Sequence, residues 1–290
     1  MVEPILTILA DPLAIALTLW ILGDIVVERS GVINLAIDGI ITFSIAVTFV
    51  AVQNIGYVQG LLISLASTIA LSLIFATFIN VLHAPHVLTG LSLNIAFYGV
   101  GALIGLRYMK SRSLVPIGIG KPILALIGVA TAVLTWFTLY RSRLGTEIRA
   151  CGFNPRAAEA AGVRVWRTRY IATIIGYTLV SIGSYIYTTI YRSGWSQYTG
   201  MGYGFLAITL AMASSWHPLI AYPIAIAFGY LYTSSYALQL LYGVPTDVVN
   251  ALPFMVSLAV VVIVYATPLS KKVAMPKALG EVYFREERAA

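Results

Sequence analysis

The chain has 290 residues, of which 18 are basic and 11 acidic, so 10% of its residues are charged while 59% are apolar. Soluble globular domains carry about 25% charged residues, and this composition therefore excludes an ordinary soluble protein. The net charge of +7 does not indicate nucleic-acid binding, because basic residues in such an apolar chain fix membrane topology and contact anionic lipid headgroups. With one cysteine, Cys151, the chain can form neither an internal disulfide nor a cysteine-based zinc site.

The charges are separated by two long apolar runs. No Asp, Glu, Lys or Arg occurs in the 68 residues between Asp38 and Arg107, or in the 54 residues between Arg192 and Asp247. A helix needs about 20 apolar residues to cross a bilayer, so each run is long enough for more than one crossing. Glycine, proline and polar interruptions divide the chain into about nine predicted transmembrane helices, near residues 5–26, 33–52, 57–82, 87–106, 122–140, 170–191, 202–215, 218–240 and 248–268.

These helices predict an all-α, polytopic helical bundle that forms a single transmembrane domain over residues 1–290. We do not expect the first predicted helix to be a cleavable signal peptide, because Asp11-Pro12 interrupts it and no basic segment precedes it. The predicted helix at 202–215 is short for a full crossing and can instead be re-entrant.

The distribution of lysine and arginine predicts which segments face the cytoplasm. Seven arginines lie between Arg141 and Arg169, and five basic residues lie in the tail at 270–290, so we expect both segments to be cytoplasmic parts of a multi-pass cell-membrane protein. Four predicted helices separate them, which makes the two assignments consistent. The same parity places the N-terminus and the loop 107–121 outside, although that loop contains four basic residues, Arg107, Lys110, Arg112 and Lys121.

Segment 141–169 contains two short predicted helices. The first covers residues 144–150 and ends at Gly152. The second, at 155–161, begins with Asn154 as N-cap and with proline in the first helical position, and a glycine at 162 ends it. Its small alanine side chains and flanking arginines are compatible with docking into the cleft of a partner protein, and equally with a loop that only caps the bundle.

Three polar residues fall within predicted membrane-spanning segments. Asn34 and Asp38 are four positions apart, which would place them on one helix face at the start of a span, and Asn94 lies inside another span. Ionisable groups at membrane depth usually face a bundle interior or a water-filled path. We therefore expect Asp38 to be a pathway or helix-orienting residue; the alternative is an interfacial segment in which Glu28 pairs with Arg29.

Several segments together resemble a known family. The stretch ERSGVINLAIDG, at 28–39, resembles the segment that opens the permease subunits of ABC importers for nucleosides and simple sugars, within the branched-chain amino acid and ribose permease superfamily. Further similar segments follow in family order: Thr89-Gly90-Leu91 to Asn94, residues 145–158, Gly200 to Phe205, Trp216-His217-Pro218, and 275–283. Two departures are Asp38, where many relatives have Glu, and Ala36, where Gly is more usual.

The resemblance implies a permease that forms half of a membrane pore and transports a nucleoside or a simple sugar. It implies as partners a cytoplasmic ABC ATPase, a second permease subunit and an extracytoplasmic substrate-binding protein. On this reading Asn34, Asp38 and Asn94 would influence the translocation pathway. The residues expected to contact the ATPase are Glu147, Arg149, Asn154, Pro155, Ala157, Ala158, Glu159 and Gly162.

Motifs for other chemistry are missing from the sequence. It has no G-x-x-x-x-G-K-[ST] phosphate-binding loop, so a separate chain would have to hydrolyse ATP, and it has no H-E-x-x-H or G-x-S-x-G motif. We expect no catalytic residues, no metal and no cofactor. Tyrosines near the predicted helix ends favour anchoring at the membrane interface over stacking on a sugar or base in transit; they are Tyr191, Tyr198, Tyr203, Tyr230 and Tyr232.

Two other functions stay open at this stage. An ion-coupled secondary transporter or a channel would need intramembrane ionisable residues, for which Asp11, Asp24, Asp38 and Glu28 are the candidates. An ABC permease for branched-chain amino acids would share the family but not the substrate.

Overall fold

The computed structural model describes residues 7–109, 111, 113–267 and 275–284, except for the side chains of 236–238. All regular secondary structure within these ranges is helical. A 3-10 turn covers Leu106–Tyr108 and a π-helical turn covers Tyr187–Tyr191. The α-helices are α1 Pro12–Glu28, α2 Ile37–Ile55, α3 Tyr57–Asn80, α4 His86–Gly105, α5 Lys121–Arg141, α6 Arg143–Phe153, α7 Pro155–Ala160, α8 Val165–Ile186, α9 Tyr203–Ala213, α10 Pro218–Tyr242 and α11 Thr246–Ala266.

Seven helices in the described ranges are long and apolar enough to cross a membrane: α2, α3, α4 with its 3-10 turn, α5, α8 with its π-helical turn, α10 and α11. The prediction of about nine spans is therefore not confirmed. The other two predicted spans correspond to α1, with 17 residues, and α9, with 11 residues. Hydropathy detected both as apolar segments, but apolar character alone does not show whether a helix crosses the full hydrocarbon thickness.

Helix α1 forms the centre of the bundle. Every side chain from Leu13 to Glu28 is buried, and α1 packs against α5, α8, α9 and α10. It lies closest to α8 at a pair of glycines, where a Cβ built on Gly23 would lie 2.5 Å from the backbone oxygen of Gly176. Such small residues allow helix backbones to approach closely in membranes.

One end of the bundle, which we call the arginine-rich end, collects residues 28–34, 81–86, 139–169, 214–217 and 275–284. Backbone hydrogen bonds join its segments, from the Ala278 amide to the Gly152 oxygen at 2.9 Å and from the Gly280 amide to the Gly31 oxygen at 2.9 Å. The described part of the predicted tail thus lies beside segment 141–169.

The other end, which we call the opposite end, contains the described residues of the loop 107–121. The Leu114 amide donates to the Ser193 oxygen at 2.8 Å, and the Thr233 hydroxyl donates to the Asp11 carboxylate at 3.0 Å. The loop 107–121 and segment 141–169 therefore lie at different ends, as the parity of the predicted helices requires. Which end faces the cytoplasm stays a prediction.

Candidate functional site

The segment between α1 and α2 is not helical, and this corrects the expectation that Asn34 and Asp38 share a helix face. Helix α2 begins only at Ile37, so Asn34 precedes it. The Asn34 side chain instead binds across the bundle: its amide nitrogen donates to Asp24 Oδ1 at 3.1 Å and its oxygen accepts from the Tyr177 hydroxyl at 2.7 Å. The predicted spacing failed because the four-residue repeat holds only where the chain is already helical.

Asp38, in the first turn of α2, caps a different helix. Its carboxylate accepts the backbone amides of Gly202 at 2.9 Å and Gly204 at 2.6 Å, at the start of α9, and also accepts from the Tyr98 hydroxyl. The first amides of a helix have no partner within it, and the positive end of the helix dipole attracts an anion. Asp38 therefore satisfies the start of α9 from another helix.

Asn94 does the same for α2. Its side-chain oxygen accepts the backbone amide of Gly39, in the first turn of α2, and Asn94 is only 3% exposed. Helix α2 has no cap from its own N-cap residue, Ala36. Two helix starts are thus capped by side chains of other helices, and we call this pair of contacts the interhelix caps.

The interhelix caps lie inside the bundle rather than at its surface. Helix α9 has 11 residues, which span about 16 Å at about 1.5 Å per residue. Its last turn leads to Trp216 at the arginine-rich end, while the preceding loop leaves the opposite end near Ser193. The chain from 193 to 202 therefore enters the bundle before α9 begins, and α9 completes the passage from the opposite end to the arginine-rich end. The segment is thus not re-entrant, because its two ends lie at different ends of the bundle.

Two buried arginines hold the arginine-rich end together. The Arg29 guanidinium donates to the Trp216 backbone oxygen at 3.0 Å and to the Tyr140 hydroxyl at 3.2 Å. Arg169 is 1% exposed and donates to the backbone oxygens of Ser30 at 3.3 Å and Glu281 at 3.4 Å. These bonds join the loop after α1 to α5, to the α9–α10 turn, to α8 and to the tail.

Glu28 also contributes to this end. Its carboxylate accepts from the Trp216 indole nitrogen at 2.5 Å. Trp216 and its neighbour Ser215 both have positive φ angles, 53° and 55°, a conformation that non-glycine residues rarely adopt. Hydrogen bonds with the side chains of Arg29 and Glu28 thus hold the α9–α10 turn in this strained shape.

Segment 141–169 forms the two helices that the sequence predicted, with slightly different ends. Asn154 Oδ1 accepts the Ala157 amide at 3.0 Å as the N-cap of α7, and Pro155 occupies the first position. Helix α7 ends at Ala160, one residue earlier than predicted, and Gly162 follows with a φ of 90°.

The candidate ATPase contacts of this segment point in different directions. Three of them are exposed: Asn154, Ala157 and Gly162. Glu159 is half-buried, and Pro155 and Ala158 lie on the buried face of α7. Glu147 pairs with Arg143 at 3.2 Å. Arg149 turns toward the bundle, where it donates to the Leu139 backbone oxygen at 2.9 Å and lies 4.9 Å from the Tyr140 ring centroid.

Four further residues of the site were not predicted from the sequence: Arg29, Tyr98, Arg169 and Tyr177. Each is polar and lies within or beside a charge-poor segment, which is the signal that singled out Asp38. Among the described residues, no group of three or more His, Cys, Asp or Glu side chains could hold a metal ion.

Comparison with known proteins finds related membrane permeases. The chain is 26% identical to the guanosine ABC transporter permease protein NupQ of Bacillus subtilis, with 95% of each chain covered. It is 26% identical to the nucleoside ABC transporter permease protein NupC of Lactococcus lactis, with 92% of each covered. It is 29% identical to a putative glucose ABC transporter permease protein of Haloferax volcanii, with 91% of this chain and 93% of the relative covered.

No solved structure gives a match. The model of one family, described as branched-chain amino acid transport system / permease component, matches residues 8–265. This match covers most of the chain, including α1 to α10 and both interhelix caps, and the chain therefore belongs to this family of membrane permease components.

Proposed function

We propose that this protein is a permease subunit of an ATP-driven importer for a nucleoside or a simple sugar. Its family and the names of its relatives, which are permeases for guanosine, nucleosides and glucose, support this function. In the proposed complex it forms half of the translocation path beside a second permease. A separate ABC ATPase hydrolyses ATP in the cytoplasm, and an extracytoplasmic binding protein delivers the substrate.

The observation that carries this proposal is the exposed surface of α6 and α7 at the arginine-rich end. Ala157 and Ala160 are exposed on α7, and Phe153 at the end of α6 is 58% exposed. Small residues and an aromatic ring, flanked by Arg156 and Arg164, suit a rigid helix that docks into a cleft with acidic edges. We call this surface, residues 153–164, the coupling surface.

The charge distribution supports a cytoplasmic position for the coupling surface. The arginine-rich end contains Arg29, the seven arginines from Arg141 to Arg169, and Lys277. Positive charge favours the cytoplasmic side of a membrane. The interhelix caps then lie between the coupling surface and the outer face of the membrane.

A chain of contacts leads from the coupling surface into the bundle. A Cβ built on Gly152, in α6, would collide with the Arg29 backbone oxygen, so α6 lies directly on the loop after α1. Arg29 in turn binds the Trp216 backbone oxygen at the end of α9. Movement of α6 would therefore shift α9, whose other end is held by Asp38.

By this route Asn34, Asp38 and Asn94 influence the translocation pathway, because they fix the positions of helices that surround it. Asp38 and Asn94 hold the starts of α9 and α2, and Asn34 joins the loop before α2 to α1 and α8. Alternating access needs elements that move as units around a path at mid-membrane depth. Helices α2 and α9, whose first turns are capped by side chains of other helices, are the proposed moving units.

The proposal is tested by the substitution Glu159→Arg on α7. In the complex reconstituted with its ATPase, second permease and binding protein, this charge reversal should abolish substrate-stimulated ATP hydrolysis, because it replaces a half-buried carboxylate of α7 with a longer cation and so alters the position of α7 at the ATPase contact. The isolated ATPase should be unaffected. The matched control is Asp247→Arg, which makes the same charge change at an exposed residue of the opposite end.

Retained stimulation in Glu159→Arg would contradict the assignment of the coupling surface. Substitution of the exposed Ala157 by tryptophan provides an independent check, because it adds bulk to the docking face without entering the bundle.

A branched-chain amino acid is the second candidate substrate, since the family description names that transport system. Uptake of leucine, guanosine and glucose by the same reconstituted complex separates the candidates. Import of leucine alone would favour the second.

A further inference from the structure

A cavity of about 410 Å³ lies toward the opposite end of the bundle. Its lining consists of four tyrosines and one arginine: Tyr187, Tyr191, Arg192, Tyr203 and Tyr232. Arg192 is followed by Ser193, which binds the loop 107–121, and Tyr232 is followed by Thr233, which binds Asp11. The volume lies in the range of about 300–1,000 Å³ that is usual for small-ligand sites. We call this space the tyrosine cavity.

Three separate elements bring the rings together. The π-helical turn at the end of α8 contains Tyr187 and Tyr191, whose ring centroids are 5.4 Å apart. Tyr203, the first residue of α9, lies 5.5 Å from Tyr187 and 5.8 Å from Tyr232 of α10 between centroids. Single π-helical turns inside α-helices frequently occur at functional sites.

The sequence favoured membrane-interface anchoring for these tyrosines, and for Tyr203 this is wrong. Tyr203 is 7% exposed and packs against Trp20 of α1 at 5.5 Å between centroids. Tyr230 lies two positions before Tyr232 on α10 but is 54% exposed, as an anchoring residue should be. A sequence shows only that tyrosines are near helix ends, and rotation about the helix axis decides which of them faces inward.

The lining restricts what the tyrosine cavity can bind. Tyrosine rings offer apolar π faces on which a planar ring can stack, and their hydroxyls can donate or accept hydrogen bonds. The guanidinium of Arg192 offers several donors in one plane, which suits carbonyl and ring-nitrogen acceptors such as those on a guanine edge. No carboxylate is present among the described lining residues, so an amino acid's ammonium group would lack an anionic partner there.

We propose that the tyrosine cavity binds the base of a nucleoside during transport, with the ring stacked on tyrosine and Arg192 donating to a carbonyl oxygen of the base. This inference rests on the proposed function and narrows its substrate class to nucleosides. Tyr203 also begins α9, the helix whose start Asp38 caps. A base in this cavity therefore contacts the same helix that the coupling surface reaches from the other end.

The test measures uptake of radiolabelled guanosine and glucose by the full complex in proteoliposomes. Tyr232→Leu should lower guanosine uptake about tenfold, because one base–aromatic stacking contact is lost, while Tyr232→Phe should keep at least about half of it, since phenylalanine also stacks. Tyr230→Leu is the matched control on the same helix and should leave uptake unchanged. Arg192→Gln, at an exposed position, should lower guanosine uptake without altering guanosine binding by the separate binding protein.

The outcomes distinguish the two proposals. Guanosine uptake that is equal in Tyr232→Leu and wild type would overturn the cavity proposal and leave the importer function standing. Import of glucose but no nucleoside by the wild type would overturn the nucleoside assignment. ATP-dependent import of neither would overturn the proposed function itself. If Tyr232→Leu does not fold, the pair Tyr191→Leu and Tyr191→Phe, together with Arg192→Gln, decides the same question.

Discussion

The carboxylate of Asp38 accepts the backbone amide of Gly204 at 2.6 Å, although 166 positions of sequence separate the two residues. The bond is buried in a bundle of apolar helices, where no bulk water can replace it. A helix start inside a membrane needs such a partner, because an unsatisfied amide in an apolar environment costs several kcal/mol. The start of α9 at this depth therefore depends on α2.

Removal of this carboxylate should destabilise the bundle. Asp38→Leu leaves the amides of Gly202 and Gly204 without their acceptor, and we expect a loss of about 2–6 kcal/mol of stability from about 1–3 kcal/mol for each of the two orphaned donors. Asp38→Asn keeps one acceptor oxygen and should lose less. Thermal unfolding of the purified permease in detergent should give midpoints that fall in the order wild type, Asp38→Asn, Asp38→Leu. Equal midpoints for all three would show that the cap does not hold α9.

The close approach of α1 and α8 gives a second prediction. A Cβ on Gly23 would lie 2.5 Å from the Gly176 backbone oxygen, so Gly23→Ala must push the helices apart. Overpacking of this kind costs about 1–3 kcal/mol, and the unfolding midpoint should fall. Gly99→Ala on α4 is the matched control, because nothing lies within 4 Å of its Cβ position. A lower midpoint for the control than for Gly23→Ala would refute this reading.

A substitution of Arg29 separates two steps: docking of the ATPase on the coupling surface, and transmission of movement from α6 to α9. Arg29→Ala removes the bonds to the Trp216 backbone oxygen and the Tyr140 hydroxyl but leaves the coupling surface intact. We expect the ATPase to copurify with the variant while substrate-stimulated ATP hydrolysis is largely lost. Arg107→Ala, at an exposed residue of the opposite end, should behave as wild type. Full stimulation in Arg29→Ala would exclude this route.

Cys151 provides a chemical probe of α6. Burial raises the pKa of its thiol from 9.0 to about 11, and its side chain is 0% exposed. The reactive thiolate is the minor form below that pKa, so at pH 8 its fraction is about a hundredfold lower than for a thiol with the ordinary pKa. Maleimide labelling of the folded permease should be slow at pH 8, faster as the pH approaches 11, and fast at pH 8 after unfolding in detergent. Rapid labelling at pH 7 without unfolding would contradict the burial of Cys151.

Local sequence patterns predicted helix α7 well. Asn154, Pro155 and Gly162 act within a few residues of one another, so capping preferences alone determine where α7 begins and approximately where it ends. Composition likewise determined the class of protein, because 59% apolar residues with 10% charges fit a bilayer and not water.

Only the tertiary structure decided what the polar residues of the spans do. Asp38 and Asn94 were recognisable as buried polar groups, but their partners lie 164 and 55 positions away, and no local pattern connects them. The same applies to α9, whose apolar sequence resembles a span but whose start lies within the bundle, and to the tyrosines, which face inward or outward according to helix rotation. Hydrophobicity places a segment in the membrane; the contacts between distant segments determine its depth, its orientation and the groups that satisfy its ends.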